Sequence, residues 1–217
     1  TASLLGPVAE YVKLLDFTWD GTGISAIRVE RTAPYELEWG RVIALALDRP
    51  CAAFCRALSV GPLPQSARGQ FEDLLAIVGA RSRPALRMLE MRTSESRSAI
   101  DLATIALGFP QLAVLTLSAG GSRSTALHHP TIEALNLHLF SLNALERALV
   151  DAALPRLRRL TLGAEHLQTV GAPLGNLVHQ PWFAQLEELD ASGLLGPRAR
   201  EILVHAYGDR LAHLRLT

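Results

Sequence analysis

Apolar positions from residue 84 onward recur in one frame. Pro155-Arg156-Leu157-Arg158-Arg159-Leu160-Thr161-Leu162 puts leucine at 157, 160 and 162. The last two are separated by two residues, the period of a strand with one buried face. The frame returns as Pro84-Ala85-Leu86 with Leu89 and Met91, Pro110-Gln111-Leu112 with Leu115 and Leu117, and Pro130-Thr131-Ile132 with Leu135 and Leu137. It also returns without proline at Leu186, Leu189 and Ala191 and at Leu211, Leu214 and Leu216. The proline biases the residue before it away from helix, so the chain is expected to enter a strand there rather than continue a turn. Six copies predict an array of strands.

Cys55, Leu58 and Val60 form a degenerate first copy, with Pro50 too early to match the later prolines. The frames then start at Cys55, Leu86, Leu112, Ile132, Leu157, Leu186 and Leu211, at intervals of 31, 26, 20, 25, 29 and 25. Helical spacing fills the longer intervals at Gln70–Gly79, Ser98–Leu107, Ser141–Ala153 and Arg198–Tyr207. Ser98 and Ser141 are the expected N-caps, and Gly79, Gly108 and Gly208 the expected stops. The interval after Leu112 leaves no room for a helix, because Gly120-Gly121-Ser122 breaks it. Ahead of the array, Gly6-Pro7 opens a short helix from about Val8. Two β-prone runs flank Asp20-Gly21, a hairpin signal that would cap the open end of a sheet. Leu37–Leu47 reads as a helix stopped by Pro50. The domain expectation is a cap of helix, hairpin and helix over 1–50, followed by the array over 51–217.

The array resembles the leucine-rich repeats of horseshoe proteins, whose period is about 20 to 29 residues. The segment from Trp19-Asp20-Gly21-Thr22-Gly23-Ile24 to Asp48-Arg49-Pro50 and Phe54-Cys55-Arg56-Ala57-Leu58 resembles the lead-in of bacterial leucine-rich-repeat proteins with a repeat-companion domain. The resemblance implies an α/β solenoid with a parallel sheet on its concave face and helices on its convex face. The chain departs from that pattern at the asparagine or cysteine position of the repeat, which holds Ser94, Gly120, Phe140, Glu165 and Leu194. The buried ladder of that side chain is then missing, so irregular turns are expected after the strands.

In such a sheet the frame residues point into the core and alternate residues point out. The outward positions, Met88/Glu90/Arg92, Val114/Thr116/Ser118, Ala134/Asn136/His138, Arg159/Thr161/Gly163, Glu188/Asp190/Ser192 and His213/Arg215/Thr217, form the surface a partner would meet. Those expected to carry recognition are Asn136 and His138, Arg159 and Thr161, Glu188 and Asp190, and His213 and Arg215. Arg159, Glu188 and His213 would form one row, with Thr161, Asp190 and Arg215 in the next. Solvated cross-strand pairs of this kind are worth at most about 1 kcal/mol each. Extended faces of repeat arrays are nonetheless common binding surfaces. The function expected is non-catalytic recognition of a protein partner, whose identity the sequence does not give. The alternative is assembly into a homodimer through an open sheet edge after the last strand.

Composition narrows this further. Basic and acidic residues number 21 each in 217, so no global field draws in nucleic acid or an anionic membrane. Lys13 is the one lysine among the basic residues, a bias read as genome composition rather than a binding signature. No apolar run approaches the ~18 residues of a membrane span. The opening Thr1-Ala2-Ser3-Leu4 has no leader-like pattern, so a leader is expected to be absent or already trimmed. Residence in the cytoplasm is the expectation. Cys51 and Cys55 fit packed, reduced thiols better than a disulfide framework or zinc site. Glu165-His166 and His128-His129 are the densest acid–base groupings, yet neither carries a metal-ligand spacing, a nucleophile motif or a phosphate loop. His128-His129 reads as a solvated loop ahead of Pro130. No catalytic residue, cofactor or metal is expected, and Trp19, Trp39 and Trp182-Phe183 read as core or cap aromatics.

Overall fold

The computed structural model describes residues 6–11, 14–21, 23–29, 38–63, 70–93, 99–119, 121–122, 126–166, 176–193 and 215–216. A 3₁₀ turn over Gly6–Tyr11 stands where a helix from Val8 was expected. The predicted hairpin forms as β1 (Leu15–Asp20) and β2 (Gly23–Val29). Gly21 takes φ +61° at its turn, a left-handed conformation that glycine adopts without steric cost. Helix α1 (Trp39–Leu47) follows, and Pro50 then opens a second 3₁₀ turn. The remaining strands are β3 (Ala57–Leu63), β4 (Met88–Thr93), β5 (Ala99–Ile100), β6 (Val114–Ala119), β7 (Gly121–Ser122), β8 (Ala134–Ser141), β9 (Arg159–His166), β10 (Glu188–Gly193) and β11 (Arg215–Leu216). Between them lie α2 (Gln70–Gly79), α3 (Ala103–Gly108) and α4 (Leu142–Leu149).

Nine strands form one sheet in the order β1-β2-β3-β4-β6-β8-β9-β10-β11, parallel throughout except for the antiparallel β1–β2 pair. The frame sets its register. Leu58, Leu89, Leu115, Leu135, Leu160 and Leu189 lie opposite one another on successive strands, and Leu117, Leu137 and Leu162 do the same two residues on. All of these side chains are buried. They share one core with Trp39, Ile43 and Leu47 of α1, Leu74 and Val78 of α2, Ile105 of α3, and Leu145 and Leu149 of α4. The helices therefore cover the frame face of the sheet. Each large aliphatic side chain so buried contributes roughly 1.5–3 kcal/mol.

The frame prolines act in turns, a correction to the expected strand entry. Leu86 N–H donates to the Arg83 carbonyl at 3.1 Å, Leu112 to Phe109 at 3.0 Å and Leu157 to Leu154 at 3.2 Å. These are four-residue turns with proline second, where its fixed φ is already suitable. Leu186 closes the same turn on Phe183 at 3.2 Å without a proline. Immediately afterwards one carbonyl takes two consecutive N–H groups from the next frame. Arg87 and Met88 donate to Arg56, Ala113 and Val114 to Arg87, Glu133 and Ala134 to Ala113, Arg158 and Arg159 to Glu133, and Glu187 and Glu188 to Arg158. This staircase fixes register before the ladder begins.

Several local expectations change. The pattern from Ser98 splits into β5, which pairs with β7 in a separate two-stranded ladder, and α3. Helix α3 starts late, after a turn in which the Asp101 carboxylate accepts from Ala103 N–H at 3.0 Å. Ser98 lies outside the described residues. Ser141 ends β8, with α4 following directly, and Asp151 rather than a glycine takes the left-handed conformation after it, at φ 61°. Phe140 and Glu165 were expected at irregular turns but lie within β8 and β9, whose ladder runs on to Ser141↔His166. No helix stands between β6 and β8 among the described residues, and the pattern at 198–207 lies outside them.

Candidate recognition surface

On the sheet's other face Arg28, Met88, Arg92, His138 and Arg159 are exposed, and the alternation of each strand decides what that face shows. Three rows run across neighbouring strands about 4.8 Å apart. The first reads Ala26, Ala57, Met88, Val114, Ala134, Arg159, Glu188 and Arg215. The second reads Arg28, Ser59, Glu90, Thr116, Asn136, Thr161 and Asp190, and the third Arg92, Ser118, His138 and Gly163.

Seven of the eight residues expected to carry recognition fall in these rows: Asn136, His138, Arg159, Thr161, Glu188, Asp190 and Arg215. The last strand is placed differently. Arg215 was expected beside Asp190, but the register pairs it with Glu188 and Leu216 with Leu189. The register has slipped by two residues, a shift that alternation by itself does not distinguish. His213, expected beside Glu188, lies outside the described residues. A register irregularity between Asp190 and Gly193 puts Gly193 opposite Gly163, where Ser192 was expected to continue the row.

Polar contacts run across the strands in the second and third rows. Glu90 accepts from Ser59 Oγ at 2.8 Å and from the Arg92 guanidinium at 2.6 Å. Asn136 Nδ2 donates to Thr116 Oγ1 at 3.0 Å. The His138 ring lies across Gly163, where a Cβ would come within 1.8 Å of Cδ2. A side chain at 163 would therefore occupy the ring's place. Arg159 and Glu188 stand in register with no ion pair between them among the described side chains. Arg158 and Glu187, one position earlier at the strand ends, do pair. The expected alternation of charge in the first row is thus not a ladder of salt bridges.

The expected site leaves out the apolar half of the first row, from Ala26 to Ala134. Met88 is 38% exposed and is the largest apolar side chain in it. The signal was in the frame itself, whose third position is Ala57, Met88, Val114 and Ala134 in the first four copies and turns charged only from Arg159.

The groupings weighed for chemistry resolve differently. His128 is exposed, but His129 is 2% exposed, which corrects the reading of both as solvated loop. Its Nε2 lies 3.0 Å from the Phe109 carbonyl, which can only accept, so Nε2 carries the proton. Nδ1 then accepts from Thr131 N–H at 3.3 Å, and Thr131 Oγ1 bonds the Leu112 carbonyl at 2.8 Å. This neutral histidine replaces the proline turn's backbone bond. Burial pushes its pKa below the ordinary value, against a smaller opposing effect of the Phe109 bond.

Trp39, Trp182 and Phe183 are buried, and Trp19 packs partly against the core. Cys55 is a buried free thiol that donates to the Ala57 carbonyl, and burial pushes its pKa up to about 11, only partly offset by backbone hydrogen bonding at Ala57 and Ile27. No group of three or more His, Cys, Asp or Glu side chains among the described residues is arranged to hold a metal. No described helix is long and apolar enough to cross a membrane. A cleft of about 190 Å³ opens between the hairpin turn at Asp20 and Gly23 and the Pro50–Phe54 turn. It is smaller than the roughly 300–1,000 Å³ of ordinary ligand pockets. Compared with known proteins, the chain matches no family model, no curated protein and no solved structure.

Proposed function

We propose that the chain is a leucine-rich-repeat solenoid of the horseshoe kind with a repeat-companion-type lead-in. In this reading the sheet lies on the concave side and the helices on the convex side. It acts as a non-catalytic protein-recognition module through the open sheet face. The observation that carries this is the division of the two faces: the frame residues are buried with the helices, while the alternate positions form in-register rows of polar and small apolar side chains, several of them exposed. Broad, continuous surfaces of this type suit an extended partner better than a compact substrate. Asn136, His138, Arg159, Thr161, Glu188 and Asp190 are the proposed contacts, with Arg215 beside Glu188. Capture from the native host, with Arg159→Glu plus Asp190→Arg as the altered bait, tests the reading. Loss of a partner held by the unaltered chain supports it, and an unchanged set of captured proteins counts against it.

A further inference from the structure

The first four outward residues of the leading row, Ala26, Ala57, Met88 and Val114, are half-buried or exposed and lie on four adjacent strands in unbroken register, and Ala134 continues the row but is buried. At about 4.8 Å per strand the accessible strip is about 14 Å long. A strip of small side chains with one methionine lets another chain approach the backbone closely, and the flexible thioether adapts to what it meets.

Its border is basic at the β2–β4 end. Arg56 and Arg87 occupy consecutive steps of the carbonyl staircase, directly before Ala57 and Met88. Arg28 stands in register with Ser59 on the strip's other side. All three are exposed. Arg28 and Arg56 make no ion pair among the described residues, and Arg87 spends one NH1 on the Gln111 carbonyl and side-chain oxygens, at 3.0 Å each. Glu90, two strands from Arg28 in the second row, is already engaged by Ser59 and Arg92. Asp16 stands in register with Arg28, and Glu133 lies at the far end beside Ala134. An apolar strip flanked by arginines that lack internal carboxylate partners has the layout of an interface with an apolar centre and a charged rim.

We infer that this strip docks a partner segment combining apolar side chains with carboxylates. The apolar groups lie along Ala57, Met88 and Val114, and the carboxylates meet Arg28, Arg56 and Arg87. This rests on the recognition reading of the same face, but it moves the first contact from the β8–β10 half to the β2–β6 half.

Three labelled peptides of equal length test it, each alternating leucine with glutamate, glutamine or lysine, titrated against the full chain at low and high salt. The leucine–glutamate peptide is expected to bind at least about tenfold more tightly than the leucine–lysine peptide, a difference of about 1.4 kcal/mol. Salt is expected to erode that preference. Arg56→Glu with Arg87→Glu is expected to reverse it, and Met88→Asp to weaken binding of all three peptides. The salt titration uses the unaltered chain, so it decides even if the charge-reversed chain fails to fold. Equal binding of the glutamate and lysine peptides overturns the inference, as does absence of binding up to about 1 mM, the weak end of specific affinity. Light scattering that shows a dimer dissociated by Met88→Asp also overturns it, assigning the strip to a second copy. Glutamate-peptide binding that is lost with Arg159→Glu plus Asp190→Arg and kept with Met88→Asp removes this inference alone. A capture experiment indifferent to both sets of changes removes the recognition reading.

Discussion

The imidazole of His138 lies over Gly163 on the adjacent strand, so close that a Cβ at 163 would sit 1.8 Å from its Cδ2 and 2.1 Å from its Nε2. The glycine is buried under an otherwise exposed ring. Because the obstacle is the end of a side chain with solvent beside it, Gly163→Ala is expected to swing the ring away at a cost of about 1 kcal/mol. The His138 imidazole resonances should shift while the melting temperature falls by only a few degrees. Unchanged resonances in the folded variant would mean that the ring does not rest there.

Gly108 makes the opposite prediction. A Cβ there would lie 2.7 Å from Gly79 Cα and 3.1 Å from its carbonyl oxygen, at the junction where α2 and α3 end against each other. The obstacle is backbone and cannot rotate away. Gly108→Ala is expected to cost more than Gly163→Ala, in the range of about 1–3 kcal/mol found for overpacked sites. Urea unfolding of the two variants side by side checks the order.

His129 gives the chain an acid-side weakness. Its folded pKa lies below the ordinary 6.5, so between the two values the unfolded chain binds more protons than the folded one. Its contribution is complete above about pH 6.5 and is lost as the pH falls toward the folded pKa, with a slope of at most about 1.4 kcal/mol per pH unit. His129→Ala should remove that component. It should also cost about 1–3 kcal/mol at neutral pH, because the Phe109 carbonyl and Thr131 N–H lose a partner. Unfolding curves at pH 7.5 and 5.5 for both chains measure the difference, and identical pH dependence would refute it.

Cys55 should be inert in the folded chain. Its thiol is buried and pushed up to about 11, so almost no thiolate exists at pH 8. A thiol reagent is expected to modify Cys55 only after denaturation, read by mass spectrometry of the labelled peptide. Rapid native labelling of Cys55 would contradict the packing of the first frame.

Much of the fold was legible because the frame couples two signals, apolar alternation and a proline at a fixed offset. Leu135, Leu160 and Leu189 could be assigned to one buried face and found in register for that reason. The same period explains the error at β11. A slip of two residues leaves Leu214 and Leu216 with the same spacing, so alternation cannot distinguish the two registers. The β5–β7 ladder spans two residues per strand, too short for any period. His129 went unrecognised because its bond reaches a carbonyl twenty residues away, which no local pattern encodes. On the candidate surface, the polar rows followed from alternation, whereas the absence of ion pairing between Arg159 and Glu188 depends on side-chain placement.

Capture from the native host with three baits tests the recognition reading most directly: the unaltered chain, an open-face variant carrying Asn136→Arg and Thr161→Arg, and a helix-side variant carrying Leu45→Arg and Leu107→Arg. Leu45 and Leu107 are 46% and 80% exposed, which makes the helix side the rival apolar surface. With all three baits folded by thermal unfolding, the open-face variant should lose the partner and the helix-side variant should keep it. Retention by the open-face variant with loss by the helix-side variant would contradict the assignment of recognition to the sheet.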